Sequence, residues 1–459
     1  MPSLSRTFAK WVADLKYEDL PPEVVDRAKG LTLQGLASAM LGRGMAAGDQ
    51  ALRLMQEEEG TGEGVATVIA DGTKLTKGGA AFVDSEMIYA GGKWDTFRML
   101  THPGCNIIPN GLVAAETQQA SGKTYITGIA TAYEVMERMA SEFIPTVMSR
   151  GFHAGPVFGI FGAAIAAAKV IGLNEDQING AIAQCVNLAA GNLEGARSGG
   201  RSLREGGAVR NAFLAVALAK QGMPGGETTL EGDAGFYHSY TGNNRGELSY
   251  SFTGLKQTAL EQIVEGLGTR WQMLETLYRI YSTAGFNIAH VDVTAALCAE
   301  HDIKPGDVER VEAVVNWFET QYPSPAFPTP GPSGARPGST EYYSAYGVVE
   351  RGFPMLKSRP GDDPPAVLEL MQHVKIIPSE TQTLFGPKIT VFLKDGRSFT
   401  KEATGREFIW DFEEEVRRIR GVAPGLAIAE SQFDALIDAC RRLEELPRAD
   451  RLVELTIPR

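Results

Sequence analysis

Apolar residues recur at helical spacing through the first two-thirds of the chain. Leu20-Pro21-Pro22-Glu23 puts prolines where a helix starts, and Val24, Val25, Ala28, Leu31 and Leu36 follow on one face. The same period predicts helices over Pro109–Gln119, Tyr125–Met139, Val157–Ile171, Asp176–Leu188 and Ala208–Lys220, separated by glycines and prolines. Asn174 stands where it caps the helix that follows. Val65–Ala70 is a β-branched run that predicts a short strand, ended by the turn Asp71-Gly72. Near Glu265 the pattern changes. Val308–Phe318 alternates apolar and polar, as do Val374–Ile377 and Lys388–Phe392, with Gly396 turning the last one. Helical stretches around Asp292–His301 and Thr340–Arg351 lie between these strands. The expectation is an α+β segment with an antiparallel sheet, followed by charged helices from Trp410 onward. The proline-rich stretch 323–338 is expected to be a long loop.

Composition narrows the function. Hydrophobic residues make up 43% and charged residues 22%, which is ordinary for a folded globular chain. The formal net charge of -12 removes any global basic field toward nucleic acid or an anionic membrane. An anionic ligand then requires a local cluster of cations. The four cysteines, Cys105, Cys185, Cys298 and Cys440, form no CxxC pair, so reduced, buried thiols of a cytoplasmic protein are expected. The most apolar window, Gly155–Gly172, is rich in Gly and Ala and contains Lys169, which fits a buried helix better than a membrane span.

Two histidines sit beside chain-shaping residues. Pro103 holds His102 extended, and Gly104 allows close backbone approach. Because the next helix is expected near Pro109, His102 is placed in a loop. His153 lies on the turn Arg150-Gly151-Phe152-His153-Ala154-Gly155-Pro156 at the entrance to the Gly/Ala helix. Imidazoles suit proton transfer near neutrality, and they also serve as plain structural caps. Asp95-Thr96 lies in a loop just before His102. Arg201 and Arg204, in Gly199-Gly200-Arg201-Ser202-Leu203-Arg204-Glu205-Gly206-Gly207, precede a helix and offer two-pronged donors to a carboxylate. Arg279 lies between Tyr278 and Tyr281 near the change of character. No GxSxG elbow, phosphate loop or helical His pair is present, and Gly60-x-Gly62-x-Gly64 precedes a strand instead of following one. No metal and no organic cofactor is expected.

Taken in order, several segments resemble the MmgE/PrpD family. They are Tyr17-Glu18-Asp19-Leu20-Pro21-Pro22-Glu23-Val24, Asp95-Thr96 with His102-Pro103, Gly128-Ile129-Ala130-Thr131-Ala132-Tyr133-Glu134-Val135 and Arg150-Gly151-Phe152-His153. Gly159-Ile160-Phe161-Gly162-Ala163-Ala164, Gly206-Gly207-Ala208-Val209-Arg210-Asn211, Leu230-Glu231-Gly232-Asp233-Ala234-Gly235-Phe236 and Ile303-Lys304-Pro305-Gly306-Asp307-Val308 complete the series. The resemblance implies a mainly α protein: a large all-helical domain, residues 1–265 and 405–459, and a smaller α+β domain, residues 266–404. It implies a homodimer with the active site at the domain junction, no cofactor, and a small di- or tricarboxylate as substrate. His102, His153 and Thr96 match family active-site positions, with Asp95 beside them as a further catalytic candidate. Arg201, Arg204, Arg279 and Tyr281 are the substrate-binding candidates. Three departures stand out: Gly92 where the family carries an aspartate, and Arg201 and Arg279 where it carries lysines. Arginine keeps the charge and clamps carboxylates, but it does not exchange protons readily. The leading expectation is a cofactor-independent lyase of dehydratase or decarboxylase type. An epimerase working by deprotonation and reprotonation, and a catalytically silent carboxylate-binding relative, stand as alternatives.

Overall fold

The computed structural model describes residues 2–60, 64–99, 101–197, 204–321, 324, 335–356 and 361–459. The chain divides into two units. The first comprises Met1–Ser249, Lys256–Tyr278 and Trp410–Arg459, and the second Tyr250–Leu255 and Arg279–Ile409.

In chain order the first unit opens with α1 (Leu4–Asp14), α2 (Pro22–Gly42) and α3 (Ala46–Glu59). The hairpin β1 (Ala66–Thr67) and β2 (Lys74–Leu75) follows, then α4 (Lys77–Gly91) and the two-residue strand β3 (Asp95–Thr96). Next come α5 (Pro103–Gln118), α6 (Gly122–Ala140), α7 (Ile144–Ser149), α8 (Ala154–Ile171), α9 (Glu175–Leu188), α10 (Glu194–Arg197), α11 (Arg204–Lys220), α12 (Phe236–Thr241) and β4 (Leu277–Tyr278). In the second unit are α13 (Gly285–Glu300), β5 (Val308–Asn316), α14 (Thr340–Val349), α15 (Pro365–Leu370), β6 (Val374–Ser379), β7 (Lys388–Leu393) and β8 (Ser398–Glu402). The chain then completes the first unit with α16 (Phe412–Ile419), α17 (Glu430–Arg441) and α18 (Arg451–Glu454).

Helix α8 is the centre of the first unit, with α5, α6, α9 and α11 packed around it. It is long and apolar enough to cross a membrane, but 89% of it is buried inside the fold. Its small residues let neighbours approach closely. A Cβ on Gly159 would lie 2.5 Å from Asn106 Cγ of α5. Along the shared seam Gly159 faces Asn106, and the Asn110 amide donates to the Ala163 carbonyl at 3.3 Å. Residue numbers rise together on both helices, so α5 and α8 run in the same direction. Asn110 also donates to Val209 O of α11 at 3.2 Å, and Asn106 meets Glu205. Helix α11 therefore runs the same way, and the three N-termini share one end.

Helices α2 and α4 form a second tight pair. A Cβ on Gly42 would sit 1.9 Å from the backbone carbonyl oxygen of Met87. A backbone atom cannot rotate aside, so Gly42→Ala must spread the two helices. Overpacking of this kind costs about 1–3 kcal/mol. It outweighs the ~1 kcal/mol that alanine gains over glycine inside a helix. A lower urea midpoint for Gly42→Ala is expected, and an unchanged midpoint would count against this packing.

The crossing points of the first unit are locally closed. The rings of Tyr278, where the chain leaves, and Trp410, where it returns, stack at 5.3 Å. The brief excursion Tyr250–Leu255 is pinned by a 2.9 Å hydrogen bond from Leu248 N–H to Lys256 O. The return segment is anchored to α2 by the Phe412 N–H, which donates to the Asp26 carboxylate at 2.9 Å. Beside it the Trp410 indole N–H donates to Glu415 at 2.8 Å.

Several expectations shift in detail. Helix α5 begins at Pro103, and Pro109 lies inside it. Pro103 takes the first helical position, where its missing N–H costs nothing. The strand expected over Val65–Ala70 shrinks to Ala66–Thr67. Asp95-Thr96, expected in a loop, pairs antiparallel with Tyr278 and Leu277. The helix expected from Asp292 starts at Gly285. The four-stranded sheet of the second unit has the order β6-β5-β7-β8. Its β5–β7 and β7–β8 pairs are antiparallel as expected, whereas β5 and β6 are parallel. Helices α14 and α15 lie between those two strands in sequence and supply the crossover that a parallel pair requires. Most of the proline-rich stretch, residues 323 and 325–334, lies outside the described residues. None of the four cysteines forms a disulfide and all are buried, and burial pushes the Cys185 and Cys440 thiols well up.

Candidate functional site

The site grows from the shared N-terminal end of α5, α8 and α11. His102 is the residue before the first turn of α5, and His153 holds the same position on α8. Both are buried. The helix ends beside them carry partial positive charge and backbone N–H groups, which favour an anion.

Each ring is fixed by a different kind of backbone partner. His102 Nδ1 lies 3.2 Å from the Asp95 carbonyl oxygen. A carbonyl only accepts, so this nitrogen carries the proton, and in the neutral ring the lone pair lies on Nε2. His153 Nδ1 instead accepts the Gly155 N–H at 3.1 Å. In the neutral ring its proton is then on Nε2. The two imidazoles are thereby set in opposite tautomers.

The segment before His102 is braced at every step. The Asp95 carboxylate accepts the Gly104 N–H with both oxygens, at 2.9 and 3.0 Å, and also the Tyr133 hydroxyl. Burial and the adjacent Asp95 carboxylate push the Tyr133 phenol well up, so it stays a donor. The Thr96 hydroxyl donates to Thr101 O at 3.0 Å and closes the turn that presents His102. Trp94 packs on the His102 ring with centroids 5.1 Å apart, and Tyr89 stacks on Trp94 at 4.5 Å. Opposite, His153 N–H donates to Gly191 O at 3.2 Å, which ties its turn to the loop after α9.

A buried polar chain joins the two histidines. The Asn106 amide donates to His102 O at 3.4 Å and to Glu205 Oε2 at 3.0 Å. Glu205 Oε1 lies 4.0 Å from His153 Nδ1. The next residue, Gly206, donates its N–H to Glu86 of α4 at 2.8 Å. Asn106 and Glu205, and the fully buried Lys93 beside Trp94, were not singled out from the sequence. The polar pair Asn106 and Asn110, four apart on an otherwise apolar helix, was the available signal for the first of these.

The structure thus brings His102, His153, Asp95 and Thr96 into one braced region. Arg201 and the side chain of Arg204 lie outside the described residues, and Arg204 opens α11. Arg279 and Tyr281 belong to the second unit. There the Arg279 guanidinium donates to Thr283 O, and the Tyr281 hydroxyl donates to Asp292 at 3.0 Å. Among the described residues no three His, Cys, Asp or Glu side chains are grouped to hold a metal.

Comparison with known proteins adds an independent line. The family model described as the MmgE/PrpD N-terminal domain matches residues 6–249. The cis-aconitate decarboxylase-like protein oryM of Aspergillus oryzae is 26% identical over 62% of this chain and 59% of its own length. The cis-aconitate decarboxylase of Aspergillus terreus is 28% identical over 60% of this chain and 56% of its own. The match therefore spans little more than half the length of these fungal relatives. Human cis-aconitate decarboxylase is 24% identical over 99% of this chain and 94% of its own length. The family match covers more than half of the sequence and includes both histidines, and the chain belongs to the MmgE/PrpD family.

Proposed function

We propose that this protein is an enzyme: a lyase of dehydratase or decarboxylase type that acts on a small di- or tricarboxylate. One observation carries the reading. Two buried histidines share one end of three parallel helices, one presenting a lone pair and the other a proton. In a dehydration His102 Nε2 serves as the base that removes a proton from the carbon next to a carboxylate. His153, in its imidazolium form, serves as the acid through Nε2–H. In a dehydration the C–H and C–O bonds break, His153 protonates the departing hydroxyl, and water and an alkene result. In a decarboxylation the C–C bond breaks, CO2 leaves, and His153 protonates the carbon that receives the electron pair. The three helix N-termini stabilise the substrate carboxylate and the negative charge that builds up beside it. Asp95 and Thr96 act by holding His102. Arg201 and Arg204 stand next to α11 in sequence, where guanidinium groups suit carboxylate binding. The names of the relatives support a tricarboxylate and place cis-aconitate first among substrates to try. A homodimer, cytoplasmic location and independence from cofactors belong to the same proposal.

Proton NMR in heavy water tests it, over a panel of di- and tricarboxylates headed by cis-aconitate. Expected is loss of CO2 with deuterium entering at one carbon, or loss of water to give an alkene. Exchange with inversion and no elimination would move the reading to an epimerase. Tight binding without exchange or turnover across the panel would favour a silent carboxylate binder and sink the lyase.

A further inference from the structure

The geometry points to Glu205 as a positioning residue that couples the two histidines into one acid–base unit, bracing His102 through Asn106 and supporting positive charge on His153. The inference rests on the proposed roles of those histidines. It concerns a residue to which the sequence gave no role and which lies in the first turn of α11, where an acid ordinarily serves the helix dipole.

Glu205 does more than face the dipole. Its side chain is buried, with 2% of the residue exposed. Oε2 takes the Asn106 amide N–H at 3.0 Å. The same amide reaches the His102 carbonyl at the start of α5, so displacement of Glu205 propagates to the His102 turn. Oε1 lies 4.0 Å from His153 Nδ1. In the neutral ring that nitrogen accepts from Gly155. When His153 is an imidazolium, both nitrogens carry protons and Nδ1–H faces the carboxylate.

Among the described residues, several groups are brought toward His153 by its neighbours. Helix α11 supplies Glu205, and α4 supplies Glu86 through its bond to Gly206 N–H. Helix α5 supplies the neutral Asn106 and, at its start, His102. The opposite charge at 4.0 Å is Glu205. A carboxylate at that range favours a charged imidazole by about one pH unit or more. His153 then keeps its acid proton to higher pH.

The test uses the full chain labelled with isotopic histidine. The six histidine signals are assigned with His102→Asn and His153→Asn variants, and pH is titrated with no substrate present. In Glu205→Gln the His153 midpoint is expected to fall by about one pH unit, and Glu205→Asp should recover part of that fall. An unmoved His153 midpoint, even with lowered stability, overturns the proposal and leaves Glu205 a structural helix-start acid. If Glu205→Gln does not fold, Glu205→Asp, which keeps the charge but draws it back from the ring, must still lower the His153 midpoint, and an unmoved midpoint there is equally fatal. With a turned-over substrate, the alkaline limb of kcat should shift downward with the NMR midpoint while KM stays within about twofold, since Glu205 acts only through His153. A shifted titration without turnover in any variant separates the two ideas: the coupling stands and the lyase reading falls.

Discussion

His102→Asn is expected to lower kcat by about 10²–10⁴-fold, the usual contribution of a positioned acid or base. Asparagine is the informative choice because its amide can still donate to the Asp95 carbonyl, the bond that fixes His102 at 3.2 Å. The variant keeps the brace and loses the lone pair at Nε2. His153→Asn is its counterpart. The asparagine oxygen can accept the Gly155 N–H and cap α8, as asparagine commonly does, while the Nε2 proton is lost. The two variants should differ in pH dependence. A base works only when neutral, so His102 sets the rise of activity with pH. An acid works only when protonated, so His153 sets the fall at higher pH. The acidic limb should vanish with His102→Asn and the alkaline limb with His153→Asn. Near wild-type kcat in either variant would remove that histidine from the chemistry. Exchanged limbs would reverse the tautomer assignment.

Glu415 is expected to make the fold markedly weaker in mild alkali. Burial pushes its carboxyl up to about 8, with the Trp410 N–H, Arg418 and Arg27 only partly offsetting that cost. The sign follows from proton binding. Below the ordinary carboxylate range both folded and unfolded chains hold the proton, and the full stability is present. Between that range and about pH 8 the unfolded chain releases the proton while the folded chain keeps it, so stability falls as pH rises. A rise of this size corresponds to on the order of 4 kcal/mol. Glu415→Gln preserves shape and an acceptor for Trp410 but has nothing to ionise. Urea unfolding should show wild type and variant similar near pH 4.5 and the variant clearly more stable at pH 8.5. Comparing the difference between variants cancels every other titrating group. An equal difference at both pH values would mean that Glu415 does not carry this linkage.

How much was legible beforehand depended on whether the cause was local. Helix α8 followed from its Gly and Ala run and Lys169, and the Asn174 cap formed as expected, with Gln177 reciprocating. His102 and His153 were legible because proline and glycine mark the chain turns that carry them. Helix α4 was missed because Asp84, Ser85 and Glu86 lie buried in its middle and break the apolar period. The parallel pairing of β5 with β6 depends on where a crossover returns the chain, which alternation within a strand does not encode. Glu205 was given no role in the sequence, and its meaning depends on Asn106 arriving from α5. The burial of Lys93 left no trace in its neighbours.

The stacking of Tyr278 on Trp410 has a consequence for dissecting the molecule. Residues 279–409 begin and end next to the same aromatic pair, and the shorter departure at Tyr250–Leu255 is stapled shut by the Leu248–Lys256 hydrogen bond. Bridging a gap between neighbouring ends needs little chain, and the entropy of closing it grows only slowly with length. A gene in which a few Gly and Ser residues replace that whole span should therefore yield an autonomous helical core. It would carry both imidazoles and allow their titration to be followed in a much smaller molecule.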